Sequence, residues 1–414
     1  MATIKILCFG SCNIDRVYGV DQTVRPGETV CARGLDIFPG GKGLNQSIAL
    51  ARAGAEVWHA GCIGSDGEML RLLLAESGVN TDHLTSVDVK NGHAVIQVSA
   101  TGENSIFLYP GSNAAVTPAQ IDDVLQHFAA GDILLLQNEI SHIPYLVRRA
   151  YERGMRIILN PSPFNEGLAK IDLGMLSYVI LNEVEAKQIS GYEEPEGALA
   201  WFAARYPGLC VMLTLGSRGC IYRDKNGELY HPSFAVKATD TTAAGDTFTG
   251  YFVAGVARGD ELFGVLRLAT AAAAISVTRS GAATSIPTLA EVQALLPQLQ
   301  QRSEGKNKRA AEQIRAYLSQ NLQNATVGGL AHTLGYSEGY TRKLVKSVFD
   351  LSFSALLRDM RCEAAARLLR ETDLPISKII NDVGYSNETF FRKIFQQKYG
   401  VNPLKFKHSK ESAI

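Results

Sequence analysis

Short, β-rich apolar runs recur through the first three hundred residues, at 4–9, 133–136, 157–159, 178–181 and 211–215. Between them lie stretches with apolar positions three and four apart, such as 43–53, 67–77 and 143–153, the spacing of an amphipathic helix. Unbroken apolar strands alternating with such helices predict an α/β domain, a mostly parallel sheet with helices on both faces. Over 17–38, and again over 94–109, strand-like segments follow one another without a helix, which predicts a second, smaller antiparallel layer. The pattern breaks at 298–309, QLQQRSEGKNKR, a polar, charged stretch with the composition of a linker. Beyond it strand signals stop and helices alternate with tight Gly turns, so an all-α domain is expected. Gly335-Tyr336-Ser337 recurs as Gly384-Tyr385-Ser386, an internal repeat offset by 49 residues. The expected division is 1–298, a linker at 299–308 and a second domain at 309–408.

Composition removes several classes of function. With 414 residues, 46% hydrophobic and 20% charged, the chain is a soluble globular one, too long for one ordinary domain. A spanning helix needs about 20 apolar residues, and the longest run, near 269–277, is short and enclosed by Arg267 and Arg279. Residues 1–10 lack the charged start and small-residue cleavage site of a leader. Seven scattered cysteines without a CxxC pair fit reduced thiols, and the eight histidines have no HExxH spacing, so neither disulfides nor zinc is expected. A cytoplasmic protein without a membrane partner follows. The net charge of zero conceals a partition. From Lys306 onward 18 Lys and Arg outnumber 10 Asp and Glu, whereas the rest holds 23 and 31. Opposite balances on two domains point to two classes of partner, an anionic polymer being the candidate for the basic one.

Candidate chemistry concentrates where strands give way to helices. In DTTAAGD (240–246) the small residues let backbone N–H groups approach an anion at a helix start, and Asp246 is placed to accept a proton from an attacking hydroxyl. GGKGLNQ (40–46) also precedes a helix, GSCNID (10–15) follows the first strand, and Glu139 follows the strand at 133–136. GGKG lacks the spacing of a P-loop. Asn13, Asp15, Lys42, Asn45 and Glu139 together suit a ligand with many hydroxyls.

These segments, with GCIGSDG (61–67), LNEVEA (181–186) and TLGSRG (214–219), occur in the order found in the ribokinase/PfkB family of sugar kinases, which the chain resembles over nearly all of 4–298. The resemblance is to its ribokinase branch. It implies ATP-dependent phosphorylation of the primary hydroxyl of a pentose, D-ribose above all, with Asp246 as base and the amides of Ala243, Ala244, Gly245 and Asp246 as anion hole. It also implies sugar contacts from Asn13, Asp15, Gly41, Lys42, Asn45 and Glu139. Asn182 and Glu185 would organise Mg²⁺, largely through water, and Asn182, Thr214, Gly216, Gly219 and Thr270 would line the nucleotide site. A potassium loop would draw on Asp240, Thr242, Ser276, Arg279, Gly281 and Ser285. The antiparallel layer would be a lid through which two copies form a homodimer. Two positions depart from the family pattern: Tyr251 replaces a small residue, and Thr270 is a weak stacking partner for adenine.

In the second domain each repeat reads as a helix-turn-helix. Leu344 and Val348, and Phe391 and Phe395, supply apolar inner faces. Glu338, Thr341, Arg342 and Lys346 in the first unit, and Asn387, Glu388, Thr389, Arg392, Lys393 and Gln396 in the second, are the candidates for contact with a double-stranded DNA operator. GYSNETFFRKIFQQKYGVNP (384–403) resembles the second recognition helix and tail of AraC/XylS-type regulators, a likeness extending over 309–408. Gly328-Gly329 and Thr341 are the departures in the first unit. The combined expectation is a sugar kinase fused to a domain that regulates sugar-utilisation genes. The alternative is a regulator whose kinase-like half only senses sugar.

Overall fold

The computed structural model describes residues 4–99, 101, 103–299, 303–349, 351–372 and 374–408. The chain divides into two compact units, 1–302 and 303–414. The first unit begins β1 (Ile6–Phe9), β2 (Asn13–Gly19), β3 (Gly34–Gly40), α1 (Lys42–Arg52), β4 (Val57–Ile63), α2 (Glu68–Glu76) and β5 (Asn80–Ser86). It continues with β6 (Gly92–Val98), β7 (Asn104–Tyr109), α3 (Pro118–Leu125), β8 (Ile133–Gln137), α4 (Ile143–Glu152), β9 (Arg156–Asn160) and β10 (Tyr178–Asn182). It ends α5 (Glu183–Ser190), α6 (Pro195–Arg205), β11 (Cys210–Thr214), β12 (Cys220–Asp224), β13 (Gly227–His231), α7 (Ala244–Arg258), α8 (Leu262–Ser276) and α9 (Leu289–Leu295).

Nine strands form one sheet in the order β13-β12-β11-β10-β9-β8-β1-β4-β5. Every pairing from β5 through β11 is parallel, and β12 and β13 add an antiparallel edge. The central strands are buried on both faces: all four residues of β1 and all five of β8 are out of solvent. Helices cover them with apolar stripes; α4 buries Ile143, Leu146, Val147 and Ala150, the period of a single helix face. Four further strands make the small layer, ordered β3-β2-β6-β7. Its β2–β3 and β6–β7 pairs are antiparallel and a parallel β2–β6 pairing joins them. Its outer strands leave Leu35, Ile37, Phe38, Ile106, Phe107 and Leu108 exposed.

Helix α1 packs against α7. The approach is close because position 250 on α7 has no side chain: a Cβ there would lie 2.4 Å from Ala49 Cβ and 2.8 Å from Leu50 N. Tyr251, unusual for its position by the sequence reading, turns the other way and donates its hydroxyl to Pro287 O at 2.8 Å.

The second unit comprises α10 (Ser303–Gln320), α11 (Val327–Leu334), α12 (Glu338–Phe349), α13 (Phe353–Glu371), α14 (Ile376–Asp382), α15 (Glu388–Tyr399) and α16 (Pro403–His408). Of the stretch expected as linker, residues 300–302 lie outside the described residues and 303–308 are helical, belonging to α10. Glu304, Lys306 and Lys308 are good helix formers, and Ala310, Ile314 and Leu318 bury one face of that helix. Two small cores form, one around α10–α12 with Ile314, Leu330, Val345 and Leu356, the other around α14–α16 with Ile379, Phe391, Phe395 and Phe406. Helix α13 contributes to both. Gly329 is explained by packing, since a Cβ would fall 2.3 Å from Tyr317 Oη. Among the described residues no helix is long and apolar enough to cross a membrane.

Gly250→Ala is expected to lower stability although Ala favours helix by about 1 kcal/mol. Separating α1 from α7 costs about 1–3 kcal/mol, read as a lower urea midpoint with an unchanged slope.

Candidate functional site

Ala243 caps α7 in the left-handed region, at φ 59, an unusual conformation for a residue with a Cβ. The turn is tied from both sides. Asp240 Oδ1 accepts Thr242 N at 2.9 Å and its Oδ2 accepts Gly281 N at 3.0 Å, while Thr247 N and Oγ1 both donate to Ala243 O at 2.8 Å. First-turn amides of a helix have no partner within it, so this turn offers donors and a positive dipole end to an anion. Asp246 stands in that turn, buried, with Oδ2 accepting Asn45 Nδ2 at 3.0 Å and Oδ1 accepting Gln46 Nε2 at 2.9 Å. Neighbouring residues of α1 thus clamp both carboxylate oxygens.

Around Asp246 the structure brings together the groups singled out for a polyhydroxylated ligand. Glu139 Oε2 accepts Lys42 N at 3.1 Å and the Ser11 hydroxyl. Asn13 Oδ1 accepts Asn113 Nδ2 at 2.7 Å. Gly40 leaves space for the Asp15 carboxylate, which a Cβ would meet at 2.0 Å, and Gly41 holds φ 95 beside Asn13. Asn45 Oδ1 is buried without a hydrogen-bond partner among the described residues, an acceptor open to a ligand hydroxyl. Charges here are crowded. Burial, with like charge from Glu139 and Asp246, pushes the Asp15 carboxyl up to about 6. Burial also raises Glu139 despite the opposing pull of Lys42. Burial disfavours the charged Lys42, but Asp246, Glu139 and Glu185 outweigh it and hold its pKa above the ordinary value.

Three clefts lie along this region. One of about 290 Å³ is lined by Asn13, Tyr109, Asn113 and Glu139. One of about 240 Å³ is lined by Lys42, Asn182, Glu185, Ala243, Gly245 and Asp246. The third, about 270 Å³ and largely apolar, is lined by Thr214, Gly216, Gly219, Phe234, Phe248 and Thr270. The last two share Thr214, Ala244 and Gly245. Asn182 and Glu185 form a capping box on α5, with Glu185 N to Asn182 Oδ1 at 2.9 Å and Asn182 N to Glu185 Oε2 at 3.0 Å. Among the described residues no three His, Cys, Asp or Glu side chains are gathered closely enough to hold a metal by themselves. The buried Glu185 carboxylate beside an anion site fits Mg²⁺ held chiefly by phosphate and water. In the loop proposed for potassium, Asp240 reaches Gly281, Ser276 O accepts Arg279 N at 3.0 Å, and Ser285 Oγ donates to Ala282 O at 2.8 Å.

Sequence reasoning missed Ser11, Gln46 and Asn113. Gln46 stood inside a quoted motif, while Asn113 lies 100 residues from Asn13 and nothing local marks it. Cys8 and Cys12 are buried, and Cys12 Sγ is 3.2 Å from Nε2 of the buried His59.

In the second unit Glu338, Arg342 and Lys346 are exposed on α12, as are Glu388, Thr389, Arg392, Lys393 and Gln396 on α15. Asn387 caps α15, its Oδ1 accepting Phe390 N at 2.9 Å. Thr341 is a correction. It is fully buried, its hydroxyl donating to Ser337 O at 3.0 Å, because it falls on the same inward face of α12 as Val345, four residues on.

Residues 3–289 match the profile of the pfkB family carbohydrate kinases, and 330–409 match a helix-turn-helix domain. The ribokinase of Haemophilus influenzae is 37% identical over 298 residues, spanning 70% of this chain and 96% of its own. The ribokinase of Cryptococcus neoformans var. grubii, solved in complex with ADP, is 34% identical with a TM-score of 0.63, over 70% of this chain and 99% of its own. The Arabidopsis thaliana ribokinase complexed with ribose and ATP is 28% identical with a TM-score of 0.63, over 72% and 99%.

Two outcomes are expected from this geometry. Asp15, whose pKa is higher folded than unfolded, binds its proton more tightly in the native state, so it costs stability above about pH 6 and nothing below about pH 4. Asp15→Asn should therefore gain about 1–2 kcal/mol near neutral pH, a gain that disappears in unfolding curves recorded in acid. Thr341→Val should leave DNA affinity within about twofold and stability within about 1 kcal/mol, since the hydroxyl serves only its own helix.

Proposed function

Because the chain belongs to the pfkB family of carbohydrate kinases, we propose that its first unit transfers the γ-phosphoryl group of ATP to O5 of D-ribose, giving ribose 5-phosphate and ADP. The unit is a ribokinase-family phosphotransferase, and that family implies an ATP- and Mg²⁺-dependent reaction. It is fused to a DNA-binding helix-turn-helix domain.

The observation that carries the reading is the position of Asp246, between a cluster of hydrogen-bonding side chains and the first turn of α7. Asn13, Asp15, Gly41, Lys42, Asn45 and Glu139 bind the sugar. The Asp246 carboxylate takes the O5 proton as O5 attacks the γ-phosphorus, and the bond from that phosphorus to the β-bridging oxygen breaks. Amides at 243–246 and the Lys42 ammonium receive the charge that develops on the phosphoryl oxygens. The apolar cleft takes adenine, with Thr214, Gly216, Gly219 and Thr270 along its wall. Mg²⁺, held from the side of Asn182 and Glu185, supplies charge neutralisation to the phosphates. The 240–242 turn and the 276–285 segment would hold potassium, whose charge would steady the anion hole. Asn45 and Gln46 keep the base oriented, because two neutral donors fix a carboxylate without cancelling its charge.

The small layer serves as lid, and its exposed Leu35, Ile37, Ile106 and Phe107 support a homodimer formed through it. The second unit is an AraC/XylS-type double helix-turn-helix that binds an operator and regulates genes of sugar use. Its excess of basic residues and two exposed recognition helices support this.

Sugar-dependent ADP formation tests the kinase reading, with Mg-ATP, potassium and a panel of ribose, deoxyribose, arabinose, xylose and fructose. Ribose should turn over fastest. Asp246→Asn should lower kcat by about 10²–10⁴-fold, while ribose still raises its melting temperature. Ribose binding without turnover in the unaltered chain would make the first unit a sensor.

A further inference from the structure

We propose that the two recognition helices read the same short base sequence, so that one DNA site of this protein carries that motif twice. The proposal rests on the reading of the second unit as a sequence-specific DNA-binding domain. The turns of the two repeats correspond at an offset of 49: Gly335 and Gly384 both hold positive φ, and Tyr336 N and Tyr385 N bond back to Ala331 O and Ile380 O. The recognition helices correspond at 50 instead. Burial fixes this register, because Thr341 and Val345 are fully buried and so are Phe391 and Phe395. The caps agree with it, Ser337 Oγ accepting Tyr340 N and Asn387 Oδ1 accepting Phe390 N, each three residues on. Ser386 is the extra residue, and it sits in the second turn.

At that register three exposed positions coincide. Glu338 matches Glu388, and Arg342 matches Arg392. Each arginine bonds the glutamate one turn before it, at 3.0 Å in α12 and at 3.0 and 2.5 Å in α15. Lys343 and Lys393 follow, both exposed. Even the ring beside the turn recurs, Tyr336 against Tyr340 and Tyr385 against Phe390, with centroids 4.7 and 6.4 Å apart.

In a helix-turn-helix the N-terminal part of the second helix meets base edges in the major groove. There an arginine suits guanine and a carboxylate suits the amino group of cytosine. A glutamate and an arginine already paired across one turn present an acceptor beside a donor fork. Two helices bearing that pair at the same depth make the same demand on the DNA. They differ at Ser337 against Asn387, Gly339 against Thr389, Tyr340 against Phe390 and Lys346 against Gln396; α15 carries the uncharged hydrogen-bonding Thr389 and Gln396 where α12 has Gly and Lys. The copy under α15 is therefore the more strictly read of the two.

Selection of random-sequence duplexes by the full-length chain, repeated with Arg342→Ala and Arg392→Ala after their melting curves are shown to match the parent, tests this. The expected site holds two copies of one core for each chain bound. Each substitution should relax the same base position, one in each copy, by about 5- to 150-fold. Two unrelated half-sites, a single copy, or loss of different bases in the two variants would overturn the proposal while leaving specific DNA binding intact. Binding without enrichment of any sequence would overturn the DNA reading and the proposal with it.

Discussion

An ionised carboxylate taken out of water must be given hydrogen bonds, and the first unit is arranged round meeting that demand for Asp246. Both donors come from adjacent residues of one helix, so α1 must lie against the start of α7 at a fixed separation. That separation in turn requires a glycine at 250. Gln46 is itself held, accepting Gln137 Nε2 at 2.6 Å and donating to Asn160 Oδ1 at 3.1 Å. The clamp is thereby anchored on the ends of β8 and β9, and the sheet, two helices and the anion-binding turn become parts of one rigid seat. The neighbouring carboxylates Asp15 and Glu139 are accommodated by Lys42 and by the closeness that Gly40 permits.

Much of this was legible in the chain. Buried parallel strands are apolar on both faces, so β1, β8 and β10 announce themselves as unbroken runs, and the alternation with amphipathic helices gives the layer order. Residues 40–46 and 240–246 carry their chemistry locally, in turns whose small residues have a backbone reason to be small. Partners supplied across long separations were not legible. Ser11, although inside GSCNID, meets Glu139 and Asn113 meets Asn13 only after the sheet and the small layer have formed, and Asn113 has no local signature at all. The parallel pairing of β2 with β6 is of the same kind, since each strand by itself announces only an antiparallel neighbour.

The second unit shows how a correct periodicity can carry a local error. A repeat was visible from identical Gly-Tyr-Ser turns, but identity in the turn concealed the additional residue at Ser386. Thr341, named for contact with DNA, falls inward with Val345 by helical phase, and its hydroxyl is satisfied by the preceding turn. The start of α10 was hidden by the opposite effect. A charged, Gly-containing sequence reads as a linker until its first apolar stripe, several residues later, finds a core.

The place of β1 in the sheet has a consequence for the order in which the protein matures. Strand β1 lies inside the sheet, between β4 and β8, and is made well before β8, so Ile6 must await Ile133 before its second edge is covered. Pairing across such a span is slow, because loop closure is a loss taken before the contact rewards it. The second unit, made after the first, is all helical, and several of its packing pairs join neighbouring helices such as α11 with α12; chains rich in local contacts fold fastest. Synthesis and completion therefore run in opposite directions along this polypeptide. The helical unit is then expected to be complete while the sheet of the first unit is still closing.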